Sequence, residues 1–158
     1  MTDTTTPLTL RIERLLPAPP EVVFDAYTDG EKQRIWFSIL DETPGIVRID
    51  VDLRVGGTQT AVWGPDENSL FREVQTFLVV DRPNRLVTES TGSTPDGMEM
   101  TTHIDISFAP SGDDSTLMTI EQSGFPAPEV RDFFAGQAWQ GALARIEAYL
   151  VAAGSAEQ

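Results

Sequence analysis

The sequence predicts an α+β fold: a curved antiparallel sheet, two short helices, and a long C-terminal helix packed across the sheet. Three observations predict it. The stretch from Pro128 to Ala153 is the only long segment of helical period. From Ile46 to Gln122 the period is mostly two, cut by short turns. Ahead of that run stand one alternating strand and two short helical patterns.

Taken in order, the chain opens on a polar, Thr-rich tail (1–7), expected to fray. Leu8, Leu10 and Ile12 alternate with Thr9, Arg11 and Glu13, which predicts a half-buried strand over Leu8–Leu16. Pro20 and Glu21 suit a helix start, and Asp29-Gly30 ends that helix after Thr28. Glu31 to Phe37 reads as a second short helix, and Thr43-Pro44-Gly45 as a turn. Alternation then predicts strands over Ile46–Val55, Thr58–Trp63, Leu70–Val80, Arg85–Ser90 and Met98–Phe108. Thr116, Met118 and Ile120 continue the pattern to Gln122. Short turns between successive strands argue for an antiparallel meander. Phe77 to Val80 is apolar on both faces, so its facing is not assigned by pattern. In the last helix Trp139, Ala142, Leu143, Ile146, Tyr149, Leu150 and Ala153 share one face. Gly154 suits its stop, and Gly136 a kink or a late start. One domain over 8–153 is expected, with 1–7 and 154–158 as tails.

Charge and composition narrow the function. Against 11 basic residues stand 25 acidic ones, for a net charge of −14. Such a surface repels phosphate backbones and anionic lipids, so neither nucleic acid nor membrane is expected as a partner. With no cysteine there are no disulfides, thiol nucleophiles or thiolate metal sites. No signal-peptide pattern is evident and no apolar run approaches a membrane span, so a cytoplasmic location is expected.

Several segments carry a family resemblance. They are Ile12-Glu13-Arg14, then Ala18 to Asp29 followed by Trp36, then Asp52 to Gly57, then Arg82 to Val87, and last Trp139 with Leu143, Ile146, Tyr149 and Leu150. In that order they resemble the START-like (SRPBCC, helix-grip) superfamily. Within it they look most like the family named for the activator of the heat-shock protein 90 ATPase. Where members often carry a glycine, this chain has Phe71-Arg72-Glu73-Val74-Gln75. The resemblance implies a sheet gripping the long helix, with an apolar cavity between them, and no single activity.

The residues that carry chemistry are few. His103 is the only histidine and lies in the polar register of its strand, so neither metal binding nor a catalytic triad is expected of it. Gly56-Gly57 lacks the lysine of a phosphate loop and reads as a hairpin turn. The loop acids Asp41-Glu42, Asp66-Glu67 and Asp113-Asp114 read as solvated. Arg14, Arg54 and Arg72 are expected on the outer face. Aromatic residues are plentiful, and methionines add adaptable surface. Thr102, Thr116 and Gln122 fall in the apolar register, where polar groups need partners. The expected ligand-binding set is Trp36, Phe37, Trp63, Phe71, Met100, Thr102, Met118, Phe134 and Trp139. The first reading is therefore a binding domain for an apolar or aromatic small molecule, with no catalytic residue, metal or cofactor. The alternatives are a co-chaperone-like module docking a chaperone or other protein, and a cyclase- or hydrolase-like enzyme. Monomer and homodimer both remain open.

Overall fold

The computed structural model describes residues 8–41 and 45–156. The expected tail 1–7, with Thr43 and Pro44 of the expected turn, lies outside the described residues. The elements are β1 (Leu8–Leu16), α1 (Pro20–Thr28), α2 (Gly30–Trp36), β2 (Ile46–Val51), β3 (Thr58–Gly64) and β4 (Phe71–Asp81). They continue with β5 (Arg85–Ser93), β6 (Glu99–Pro110), β7 (Thr116–Phe125), α3 (Pro128–Phe133), a π turn (Phe134–Ala138) and α4 (Trp139–Ala156).

The strands form one sheet of seven in the order β1-β7-β6-β5-β4-β3-β2, every pair antiparallel. Period-two burial runs as the alternation predicts. Leu10, Ile12 and Leu16 are buried on β1; Thr102, Ile104, Ile106 and Phe108 on β6; Thr116, Met118, Ile120 and Gln122 on β7. Against this face pack Val23, Phe24 and Ala26 of α1 and Leu143, Ile146 and Leu150 of α4. Phe24 meets Phe108 edge to face at 5.2 Å, a geometry that ring quadrupoles favour.

Several boundaries differ from the sequence reading, β5 running on to Ser93 and β7 to Phe125 among them. β2 stops at Val51 rather than Val55. The alternation carries on, but Asp52 to Gly57 folds into a turn held by Arg54 N–H to Asp52 O and Gly57 N–H to Arg54 O. Leu53 and Val55 are left exposed. Gly56 has φ +84°, and a Cβ on Gly57 would lie 2.2 Å from Asp52 O, so this turn needs both glycines. The C-terminal helix is not uniform: the π turn widens it at Phe134–Ala138, around Gly136. It also runs through Gly154 to Ala156 instead of stopping there.

Side chains tie the helices down. Asp29 caps α2, accepting from the N–H groups of Glu31 and Lys32. The Arg82 guanidinium donates twice to the Asp25 carboxylate, both at 2.8 Å, joining α1 to the β4–β5 turn. That pairing holds the Asp25 carboxyl below its usual range. Arg14, which the sequence reading put on the outer face, is half-buried and joins β1 to Glu147 of α4 at 3.0 Å.

Candidate functional site: two chambers beneath the C-terminal helix

Toward the β3–β4–β5 side of the sheet the hydrocarbon filling gives out, and two adjoining chambers open under the π turn and α4. The outer chamber is about 460 Å³. Trp36, Phe37, Val47, Trp63, Ala138 and Ala142 give it an apolar wall, and Asp41 and Arg145 sit among its lining residues. The inner chamber is about 190 Å³ and shares Trp36, Phe37, Trp63, Ala138 and Ala142 with the outer one. Its other walls are Tyr27, Ile104, Phe134 and Trp139, with Gln33, Gln59, Glu73, Gln75 and Gln122.

The aromatic residues form a connected wall. Trp36 and Phe37 lie with centroids 4.9 Å apart, Phe37 meets Trp63 edge on at 5.8 Å, and Trp63 stacks on Phe71 at 5.8 Å. Across the space, Tyr27 stacks on Trp139 at 6.5 Å. Trp36 is fixed by its indole N–H, which donates to Ala26 O at 2.8 Å.

The polar residues are held by one another. Gln33 and Gln59 exchange reciprocal amide hydrogen bonds, each 3.0 Å, linking α2 to β3. Gln122 donates to Thr102 Oγ1 at 2.8 Å and accepts from the Trp139 indole N–H at 2.7 Å. A third set runs across β4 and β5. Thr88 Oγ1 donates to Gln75 Oε1 (2.8 Å), Gln75 Nε2 donates to Glu73 Oε1 (3.0 Å), and Ser90 Oγ donates to Glu73 Oε2 (2.7 Å). Both Glu73 oxygens thus accept. Enclosure by protein pushes the Glu73 carboxyl above the usual carboxylate range, and the donors Ser90 and Gln75 offset part of that rise. Burial also pushes the Tyr27 phenol up, with the Glu73 charge adding to it, so Tyr27 stays neutral.

Of the expected binding residues, Trp36, Phe37, Trp63, Phe134 and Trp139 line the chambers. Phe71 stands at their edge, 38% exposed behind Trp63. Thr102 sits behind Gln122 as its hydrogen-bond partner. Met100 packs on the core from the side, and Met118 is fully buried within it, so neither lines a chamber. The sequence reading missed Glu73, Gln75, Gln59, Gln33 and Tyr27. The cavity wall is correspondingly less apolar than the resemblance implies. The signal was present: Phe71, Glu73, Gln75 and Phe77 share one parity on β4.

His103 is exposed on the other face of β6, opposite Glu89 and Ser123. Arg54 pairs with Asp52 on the surface, and Arg72 is exposed. Among the described residues no cluster of three acids, histidines or cysteines could hold a metal. No described helix is long and apolar enough to cross a membrane.

A family model described as Activator of Hsp90 ATPase homolog 1-like protein matches residues 17–151. No curated protein matches the sequence. Among solved structures the fold is similar to the Mll3558 protein of Rhizobium loti (22% identity, TM-score 0.73, 91% of this chain and 97% of that one). It is similar also to protein CV1439 of Chromobacterium violaceum (23%, 0.66, 90% and 96%). CalU16 of Micromonospora echinospora is a more distant likeness (18%, 0.62, 90% and 76%). At these identities the likeness is one of fold.

Proposed function

The chain belongs to the Activator of Hsp90 ATPase homolog 1-like family, and from that premise we propose that it is a binding domain for a small molecule with an aromatic or apolar body, seated between the sheet and the C-terminal helix. One observation carries the reading: an aromatic-walled outer chamber of about 460 Å³ continuing into a smaller inner one. That is the size class of small-molecule sites, and mostly apolar walls with a few fixed polar groups are their usual make-up. The family's name supports a second reading, a module that docks a chaperone ATPase. Glu73, a carboxyl held above its usual range inside the cavity, is the feature a cyclase- or hydrolase-like enzyme would use. Turnover of a bound probe would identify that case.

The test is a thermal-shift screen of aromatic compounds, neutral, cationic and anionic, on the wild type and on Ala142→Phe. Ala142 lines both chambers, so the added ring fills space a ligand would take. A ligand at about one hundred times its Kd adds roughly 2.7 kcal/mol to the native state. Stabilised wild type with an unresponsive variant is the expected result. Equal shifts in both proteins, or none in either, would sink the reading and leave the docking module in its place.

A further inference from the structure

Glu73 is wired for a negative charge that nothing in the cavity balances. Each of its oxygens accepts from a fixed donor, Gln75 on one side and Ser90 on the other. Gln75 is itself oriented by Thr88, which donates to its carbonyl oxygen. An ionised carboxylate only accepts, so this arrangement suits the ionised form. A protonated Glu73 would have to turn its bond with Ser90 around, donating to Ser90 Oγ, whose own proton would then need another acceptor. Yet a half-buried carboxylate facing a mostly apolar cavity gains from a positive partner as well as from hydrogen bonds. Among the described residues, the ionisable groups lining the two chambers are Tyr27, Glu73, Asp41 and Arg145. The single cation, Arg145, lines the outer chamber only and is paired with Asp41 at 3.1 Å. Around Glu73 the walls are the rings of Tyr27, Trp36, Phe37, Trp63 and Trp139, whose faces attract cations. The net charge of −14 draws cations toward the molecule from a distance.

We propose that the inner chamber takes an organic cation, an amine or alkylammonium group carried on an aromatic body, with Glu73 as its counter-ion. This rests on the small-molecule reading above and names the chemical class of ligand. The bound ammonium supplies the missing charge, and the rings face its carbon-bound hydrogens. Because burial favours the protonated acid in the empty cavity, binding of the cation expels a proton. Affinity therefore rises with pH until the free protein's Glu73 is ionised, at a pH above the ordinary glutamate range.

The test uses matched probes: benzyl, phenethyl and naphthylmethyl bodies, each as amine, alcohol and carboxylate, titrated into wild type and Glu73→Gln. Wild type should prefer the amine over the matched alcohol by about tenfold or more. The preference should grow from mildly acidic to neutral pH, with proton release seen as a buffer-dependent heat. Glu73→Gln should bring amine and alcohol to similar affinity. The wild-type pH profile needs no variant, so it decides even if Glu73→Gln folds poorly. Equal binding of amine and alcohol, or binding of uncharged compounds with no amine binding, overturns the cation inference and leaves the small-molecule reading standing. Failure of every probe, together with an empty thermal-shift screen, overturns both.

Discussion

One face of one sheet is put to two uses. On β1, β7 and β6 the inward register carries Leu10, Ile12, Ile104, Ile106, Phe108, Met118 and Ile120, and α1 and α4 fill the space above it. On β3, β4 and β5 the same register carries Gln59, Glu73, Gln75, Thr88 and Ser90, and the space above is partly empty. Strand order and direction do not distinguish the halves, since every neighbouring pair is antiparallel. Side-chain chemistry does. Hydrocarbon side chains attract a close-packed cover because every buried methylene contributes. Amide and carboxyl groups must find hydrogen-bond partners; Gln59 finds its partner in Gln33 of α2, and the others find theirs sideways along the sheet, leaving the space above them free. Trp139 sits at the seam: its ring packs over Tyr27 and its N–H reaches Gln122.

The contrast predicts a graded series of substitutions. Phe108→Ala, in the filled half, should cost about 3–5 kcal/mol in urea unfolding, because a fully buried ring leaves a void its neighbours cannot close. A loss below about 1.5 kcal/mol would mean the two halves are packed alike. At the seam, Trp139→Phe keeps an aromatic ring but strands Gln122 Oε1. It should cost about 1–3 kcal/mol, the usual penalty for a buried acceptor without its donor. An unchanged denaturation midpoint would show that water replaces the indole. In the open half, Glu73→Gln should be nearly neutral in acid and relatively stabilising at neutral pH. The sign follows from linkage. The folded-state carboxyl titrates higher than the unfolded one, so wild-type stability is full below the unfolded value and declines as pH rises through the folded one. The variant should lack that decline, and parallel pH–stability curves for the two proteins would count against an enclosed carboxyl. Outside the comparison altogether, His103→Ala should change stability by less than about 0.5 kcal/mol, as for an ordinary surface site. A larger loss would mean the outer face of β6 is not merely solvated.

The filled half was legible in the sequence; of the open half the aromatic wall was legible and the polar lining was not. Leu8 to Glu13 alternates cleanly, so the strand and its bounds follow, and only Arg14 and Leu15 at its end break the pattern, which is why Arg14 reads as an outer-face residue. α4 was legible because Trp139 to Ala153 keeps one period. β4 resisted for a structural reason. Its register slips between Phe77 and Val79, so counting back from its apolar end gives the wrong parity for everything before the slip. That hid Glu73 and Gln75, whose alternation with Arg72, Val74 and Thr76 mixes polar residues into both faces. A polar residue facing inward also has no signature of its own in one sequence. It looks like a solvent-facing residue until its partners, here Thr88 and Ser90 on a neighbouring strand, are placed beside it. At Gly136 the expected kink or late start is met by the π turn and by α4 beginning at Trp139, but a glycine marks only local ease of deformation, not the form the helix takes.

The π turn at Phe134–Ala138 works as a phase-keeping insert. A helix advances about 100° per residue, and a π turn accommodates one residue more than an α-helical turn would. Deleting one residue there, Gly136 for instance, would let α3 and α4 join as one regular helix. The wide turn already absorbs the extra residue, so α3 would keep its phase relative to Trp139 and the change would stay within the turn. Phe134, now 5.4 Å from Phe125 and part of the inner wall, lies in the turn that would narrow, while Leu143 and Ile146 would keep their seats. A single-codon deletion would thus rewrite the roof of the open half and spare the filled one. Length variation at this point is a route by which the same grip on the helix can be kept while the shape of what it encloses is changed.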